Sequence, residues 1–285
     1  MTMKPYDAHI HFYFPFPPDE LRRVFHHLTK IGLAGFNALV FAEFPSDIET
    51  VLKMVPGAFH NVFTLSVLEN QKDPFPYFEW AEPLTIVPFV DARFIENGIE
   101  EKIKGFKQNG FKGLKIIYIP EEDTTIRVKG MEQAFGRPVK KSEDITARLI
   151  ESASSQGMCV LLHADLRRYG DFVNEMIRSY PQTNFNVPHF GFSRKTIIHL
   201  LETYPNCYTD TSSLVPFMTD DPLSYKSFIR EYQDKILFGS DAMIGTPERV
   251  ESSLRFVEQF LDDRETFHKI VHTNYCTYQG VSECP

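Results

Sequence analysis

Eight short apolar runs, each followed by a longer segment of helical or irregular pattern, limit what this chain can fold into. The runs are Tyr6–His11, Phe36–Ala42, Leu84–Val90, Gly113–Ile119, Met158–His163, Phe185–His189, Cys207–Asp210 and Ile236–Ser240. Several are almost unbroken, such as Cys159–Leu162 and Ile116–Ile119, which suits parallel strands covered on both faces better than half-exposed antiparallel ones. Helical spacing runs over Asp19–Ile31, where Leu21, Val24, Phe25 and Leu28 share a face and Gly32 is a stop signal. It recurs over Ser142–Gln156, Ser193–Tyr204 and Pro247–Leu261, and a closing helix is predicted around Arg264–His272. Eight strand–helix units in 285 residues predict a (β/α)8 TIM barrel, an α/β single domain over residues 1–285. A doubly wound open sheet is the alternative, but no Gly-x-Gly-x-x-Gly follows the first strand. Two insertions break the rhythm, Val51–Pro83 after strand 2 and Pro120–Lys141 after strand 4. The second leaves the C-terminal end of a strand, the catalytic face of such barrels, and reads as a lid or substrate loop.

Charge and cysteine usage narrow the partners. With 30 Lys and Arg against 38 Asp and Glu the formal charge is −8, and no basic run stands out. Nucleic acid and anionic membranes are therefore not expected partners, because affinity for both comes from neutralising phosphate. No apolar stretch approaches the ~18 residues of a membrane span. The start runs straight into the first strand without a signal-peptide pattern. Cys159, Cys207, Cys276 and Cys284 form no CxxC pair and are too few for a disulfide scaffold, so a cytoplasmic, reducing setting is expected. The chain has 26 Phe and one Trp, with Phe gathered at 12–16, 41–44 and 75–78. These stretches read as core packing or as an apolar substrate mouth, and a Phe-rich homodimer face stays open.

Chemistry concentrates at strand ends. In Asp7-Ala-His9-Ile-His11, residues two apart on a strand share a face, so His9 and His11 project together near its C-terminal end. Alone, the pair reads more readily as two histidines satisfied by hydrogen bonds within the core. The fifth run, however, ends in His163, the sixth in His189, and the eighth leads into Asp241. A barrel gathers such side chains into one site. Imidazole and carboxylate without thiolate suit Zn²⁺ best, with Mn²⁺ or Fe²⁺ as alternatives. His26, His27, His60, His199, His268 and His272 fall in helices or loops and read as surface or packing residues. Arg93 after the third strand and Arg167 and Arg168 after the fifth read either as carboxylate clamps for a substrate or as salt bridges. Asp210, Thr211, Ser212 and Ser213 read as pocket lining or a helix N-cap, and Asp7 as a hydrogen-bonding group of the barrel floor.

The ordered set of HxH on strand 1, Lys115 on strand 4, His163 on 5, His189 on 6 and Asp241 on 8 resembles the amidohydrolase superfamily, most closely its amidohydrolase 2 branch. The resemblance spans nearly the whole chain and reaches the tail, where Asn274 matches the branch's closing helix. It implies that His9, His11, His163 and Asp241 ligate a divalent metal. It also implies that His189 holds a second metal or polarises substrate or water. Some members carboxylate the lysine at position 115 to bridge two metals and others leave it free, so one or two ions are implied. The branch's Gly-x-Lys-Leu-His-Pro run departs here after Lys115, reading Ile116-Ile117-Tyr118, which alters the strand-four substrate contacts.

The implied activity is a metal-dependent hydrolase acting on a small amide, lactone or ester through metal-activated water. Asp241, His189 and Lys115 are the catalytic candidates, and Arg93, Lys115, Tyr118 and Arg167 the substrate contacts. A carbon–carbon lyase of the decarboxylase type is the alternative. A TatD-type nuclease is disfavoured because Lys115 stands where those enzymes usually present Glu, and because of the acidic charge. A barrel with a non-catalytic metal site is the remaining reading.

Overall fold

The computed structural model describes residues 4–12, 17–41, 43, 48–54, 74–124 and 128–281. Its frame is a continuous parallel sheet: β1 (Tyr6–His11), β2 (Gly35–Val40), β3 (Thr85–Asp91), β4 (Gly113–Ile117), β5 (Cys159–His163), β6 (Phe185–Val187) and β7 (Cys207–Asp210) pair in sequence order. The expected eighth strand is divided into β8 (Ile236–Leu237), which pairs with β7, and β9 (Ala242–Met243), which pairs with β1. Residues 238–241 therefore span the seam, and Ala8 N–H donates across it to Phe238 O at 2.8 Å. The sheet closes on itself as a (β/α)8 barrel.

Side-chain alternation sorts the strands into two environments. Leu114, Ile116, Val160 and Leu162 point outward and pack with the helices, whereas Lys115, Ile117, Leu161 and His163 point into the barrel. β1 is the exception. Its register with β2 shifts by one residue between Asp7 and Ile10, a bulge that brings Ala8 and His9 both inward. The lower interior is filled by Tyr6, Ala8, Leu39, Phe89, Leu161, Tyr208 and Leu237, and Tyr275 and Tyr278 of the last helix complete that cluster.

The helices follow their apolar faces. α1 (Pro18–Lys30) buries Leu21, Val24, Phe25 and Leu28, the four residues its spacing predicts. Each contributes roughly 1.5–3 kcal/mol on full burial. After the short α2 (Ile48–Lys53) and α3 (Phe75–Phe78) come α4 (Ile99–Gln108), α5 (Gly130–Phe135) and α6 (Val139–Ser155). α6 starts three residues before the predicted Ser142, directly after Pro138, and Ser142 is buried inside it. α7 (Leu166–Ser179), α8 (Arg194–Thr203), α9 (Val215–Asp220), α10 (Pro222–Glu231) and α11 (Pro247–Phe260) follow. The closing helix is interrupted: α12 (Arg264–His268) and α13 (Asn274–Tyr278) flank a widened turn at Lys269–Thr273.

Both insertions contain some of these elements. Residues 55–73 of the first, with His60, and 125–127 of the second, with Arg127, lie outside the described residues, as do residues 13–16, Ala42, Phe44 and Cys284. Cys159 and Cys207 are free thiols, and Cys276 is disulfide-bonded, a pairing the cysteine spacing does not announce. Among the described residues no helix is long and apolar enough to cross a membrane.

Candidate active site

A cavity of about 450 Å³ opens at the C-terminal end of the strands. His11, Lys115, His163, His189 and Asp241 all line it, beside Arg93 and Arg167. His9 lies beneath them, fully buried. One donor atom each from His9, His11 and Asp241 falls within 4.8 Å of the others. His9 Nε2 is 3.3 Å and His11 Nε2 2.9 Å from Asp241 Oδ1. Donors around a tetrahedral ion at about 2.0–2.1 Å are themselves roughly 3.3 Å apart, so the spacing fits a divalent metal.

The electrostatics fit as well. Burial, reinforced by the Lys115 charge, pushes His9 down to about 4, and burial also lowers His11 and takes His163 well below the ordinary imidazole value. These rings are neutral at pH 7, the form in which a histidine ligates metal. Burial alone raises the Asp241 carboxyl. The hydrogen bond from His11 and the nearby His9 and His189 outweigh it, so Asp241 stays ionised well below the usual carboxylate range.

Asp210 supports this group from below. Its Oδ2 accepts from His9 Nδ1 at 3.1 Å and from Asn186 Nδ2 at 2.8 Å, while Oδ1 accepts from the His189 and Ser212 backbone N–H groups. With Nδ1–H committed to Asp210, the His9 lone pair is on Nε2, facing His11 and Asp241. A carboxylate behind a ligating imidazole is the usual second partner in metal sites. His189 is fixed in the same way, since its Nδ1 donates to Ser212 O at 2.9 Å and its Nε2 is left for the cavity. Its ring is 5.4 Å from that of His9 and 5.1 Å from that of His163. His163 and His189 thus adjoin the three-donor group without belonging to it.

The backbone pays in strain for this placement. His189, Phe190, Gly191 and Phe192 all have positive φ, at 57°, 51°, 59° and 62°, forming a left-handed turn after β6 where the sequence predicts strand up to His189. L residues avoid this region at about 1–2 kcal/mol each. Offsetting contacts hold the turn: Phe190 is buried against Phe228, and His189 N–H is anchored on Asp210. Asp241, with φ 56°, lies in the seam, where its N–H donates to His9 O and the Ser240 N–H donates to Asp7 Oδ1. Asp7 is thereby a buried hydrogen-bonding residue of the barrel interior.

The remaining sequence candidates separate. Lys115 is 1% exposed, its Nζ is 3.5 Å from His9 Nε2, and burial pushes it down to about 8. Arg93 reaches the cavity wall, but its guanidinium grips Asp91 through two contacts, at 2.9 and 2.6 Å, and donates to Met54 O. Arg167 also lines the wall and is held bidentately by Asp165, the N-cap of α7, and Arg168 pairs with Glu121. Tyr118 is a correction. It follows Ile117, so alternation turns it away from the cavity, and its ring stacks on Phe172 under α7. The cavity's apolar wall comes instead from Met54, Ile117, Ile119, Val128, Phe190, Phe192, Leu214, Phe217, Tyr225 and Met243. Val128 brings the second insertion to the cavity wall. Phe12, Phe75 and Phe78 are in or packed against the main core and Phe41 is packed beside Phe94, so packing accounts for the Phe-rich stretches where they are described.

Sequence reasoning left the roles of Asp210 and Ser212 open and passed over Asn186. An acidic residue ending β7 and a polar Asn amid apolar β6 were the available signals. His26, His27, His199, His268 and His272 lie outside the cavity lining, and His27 pairs with Glu251.

Comparison with known proteins bears on this arrangement. The amidohydrolase family model matches residues 6–274. No curated protein matches the sequence. Among solved structures, the chain is similar to a dihydropyrimidinase from Brevibacillus agri, with 10% identity, TM-score 0.60, and 98% of this chain and 71% of that chain covered. It is similar to a phosphotriesterase homology protein from Escherichia coli, with 9% identity, TM-score 0.57, and 97% and 99% covered. It also resembles a candidate 2-pyrone-4,6-dicarboxylic acid hydrolase from Pseudomonas putida, with 13% identity, TM-score 0.54, and 98% of both chains covered. At these identities the likeness concerns the fold.

Proposed function

Since the chain belongs to the amidohydrolase family and is an enzyme of hydrolase type, we propose that it cleaves a small ester, lactone or amide with a largely apolar body, using Zn²⁺ held by His9, His11 and Asp241. The observation that carries this reading is the convergence of two neutral imidazoles and one ionised carboxylate at the floor of an apolar cavity. When bound, the ion supplies Lewis acidity that makes water a nucleophile near neutral pH and polarises the scissile carbonyl.

The chain's own residues do the rest. Asp241 takes the proton of the attacking water and returns it to the leaving oxygen or nitrogen. His189, oriented by the Nδ1–H bond it donates to Ser212 O, presents an Nε2 lone pair to the cavity and accepts a hydrogen bond from the attacking water or from a substrate hydroxyl or amide N–H. Lys115 adds a positive charge beside the site. His163 completes the polar floor beside His189. The apolar wall excludes water from the substrate body and favours substrates that bury it.

The test is reversible metal removal. Protein dialysed against a chelator is assayed on esters, lactones and amides with apolar acyl groups, before and after Zn²⁺ is restored. Hydrolysis should fall at least about 100-fold and return with the ion, and Asp241→Ala should stay inactive. Turnover that is indifferent to chelation and to Asp241→Ala would refute the proposal.

A further inference from the structure

The two oxygens of Asp241 have different neighbours. Oδ1 faces His11 Nε2 at 2.9 Å and His9 Nε2 at 3.3 Å. Oδ2 accepts a hydrogen bond from Ser213 Oγ at 2.6 Å. Ser213 Oγ in turn accepts from Arg249 Nη2 at 3.0 Å. Arg249 stands 3.9 Å from Oδ2, beyond direct hydrogen-bond reach, so the hydroxyl is the link between them.

The direction of this chain follows from hydroxyl chemistry. A serine hydroxyl carries one proton and two lone pairs, whereas guanidinium only donates. Arg249 occupies a lone pair of Ser213, which leaves the Ser213 proton to point at Asp241. The backbone is committed as well: Ser213 and Asp241 have φ of 57° and 56°, a region that costs a non-glycine residue about 1–3 kcal/mol and that clusters at functional sites. Ser213 is exposed on the cavity wall and Arg249 is exposed in the first turn of α11, so core packing does not explain either.

We propose that Arg249 and Ser213 form a positioning relay that holds Oδ2 of Asp241 and thereby turns Oδ1 toward His9 and His11. Ser213 acts on the ion site through Asp241, and Arg249 through Ser213. Without the relay the carboxylate rotates about its last torsion, and the lone pair directed at the ion site is no longer fixed. The inference rests on the metal-site reading above.

The test uses Co²⁺ as probe, on full-length protein. Ser213→Gly removes the hydroxyl and tolerates the left-handed backbone. Arg249→Met removes the guanidinium and keeps an apolar stem, and Arg249→Lys restores one donor. Co²⁺ affinity by chelator competition, the visible spectrum of bound Co²⁺, kcat and KM, and the Tm of metal-free protein are compared. Ser213→Gly and Arg249→Met should each weaken Co²⁺ by about 10–100-fold, as outer partners of metal ligands do. They should alter the Co²⁺ spectrum and lower kcat more than they raise KM. The double variant should be no weaker than Ser213→Gly alone, and Arg249→Lys should recover part of the loss.

Unchanged Co²⁺ binding with a raised KM would overturn the relay in favour of a substrate contact. Fully additive losses would overturn it by making the two residues independent. A fall in metal-free Tm that accounts for the lost affinity would reduce it to a structural role. Wild-type protein that takes up no Co²⁺ would refute the metal-site reading itself, whereas wild type and variants that bind alike would refute the relay alone.

Discussion

Asp210 Oδ2 lies 3.1 Å from His9 Nδ1, inside the barrel where both side chains are fully buried. This contact selects which His9 nitrogen carries the proton and turns the other toward His11 and Asp241. Burial by itself raises the Asp210 carboxyl, but His9 and His189 together with the Ser212 hydroxyl bring it well below the ordinary carboxylate value. The carboxylate therefore remains charged and available as an acceptor.

Replacing it tests that role. Asp210→Asn keeps the shape and removes the charge, and the amide can present its NH₂ to His9 and reverse the tautomer. Metal affinity should fall about 10–100-fold, measured by competition with a chromophoric chelator. Affinity equal to wild type would show that His9 needs no carboxylate behind it.

Arg93 separates a substrate clamp from a structural ion pair. It is 3% exposed, and its guanidinium is committed to Asp91 and Met54 O. Breaking a buried pair from one side leaves the other charge unpaired, at about 3–5 kcal/mol. Arg93→Met should therefore lower stability by this amount in urea unfolding. A variant of unchanged stability but sharply raised KM would mark Arg93 as a substrate contact.

The left-handed turn at 189–192 gives a paired prediction. A Cβ on Gly191, at φ +59°, would meet Leu166 Cδ1 at 2.3 Å, whereas one on Gly136, at φ +63°, would meet nothing within 4 Å. Gly136→Ala should cost only the backbone term, about 1–2 kcal/mol. Gly191→Ala should cost roughly 1–3 kcal/mol beyond that from overpacking and, by shifting His189, reduce turnover as well. Equal losses in the two variants would mean that the turn is not packed as described.

Acid should strip the ion late. Protons and metal compete for the same imidazole lone pairs, and the competition begins as pH falls through the pKa of the metal-free ligand. Burial and the Lys115 charge bring His9 to about 4, and burial lowers His11 too, so protons compete poorly at pH 5.5. Metal content after dialysis at pH 5.5 should match that at pH 7.5. Loss with a midpoint near 6.5 would indicate ordinary, solvated histidines.

Much of this was legible in the sequence because a parallel barrel exports its chemistry to strand ends. His11 and His163 terminate their strands, His189 and Asp241 follow theirs, and the unbroken apolar runs give the strand assignments. Other features depend on contacts that spacing does not encode. The bulge between Asp7 and Ile10 changes which β1 residues face inward, yet no residue there signals it. The turn at His189–Phe192 places two phenylalanines in a conformation they intrinsically disfavour, so local propensity argued for continued strand. The division of strand eight follows from the seam contacts of residues 238–241 with β1. Tyr118 was within reach of the alternation rule, which puts Lys115 and Ile117 on one face and Tyr118 on the other. Ser213 and Arg249, 36 positions apart, have no shared sequence signature, and only the folded barrel brings them to Asp241.

The most direct measurement is elemental analysis of protein purified without added metal or chelator, comparing wild type with the double variant His11→Asn/Asp241→Asn. The account predicts at least about one Zn²⁺ or another divalent ion per wild-type chain and a near-complete loss in the double variant, with the fold retained by circular dichroism. Equal metal content in the two proteins, or none in wild type even after reconstitution, would contradict it.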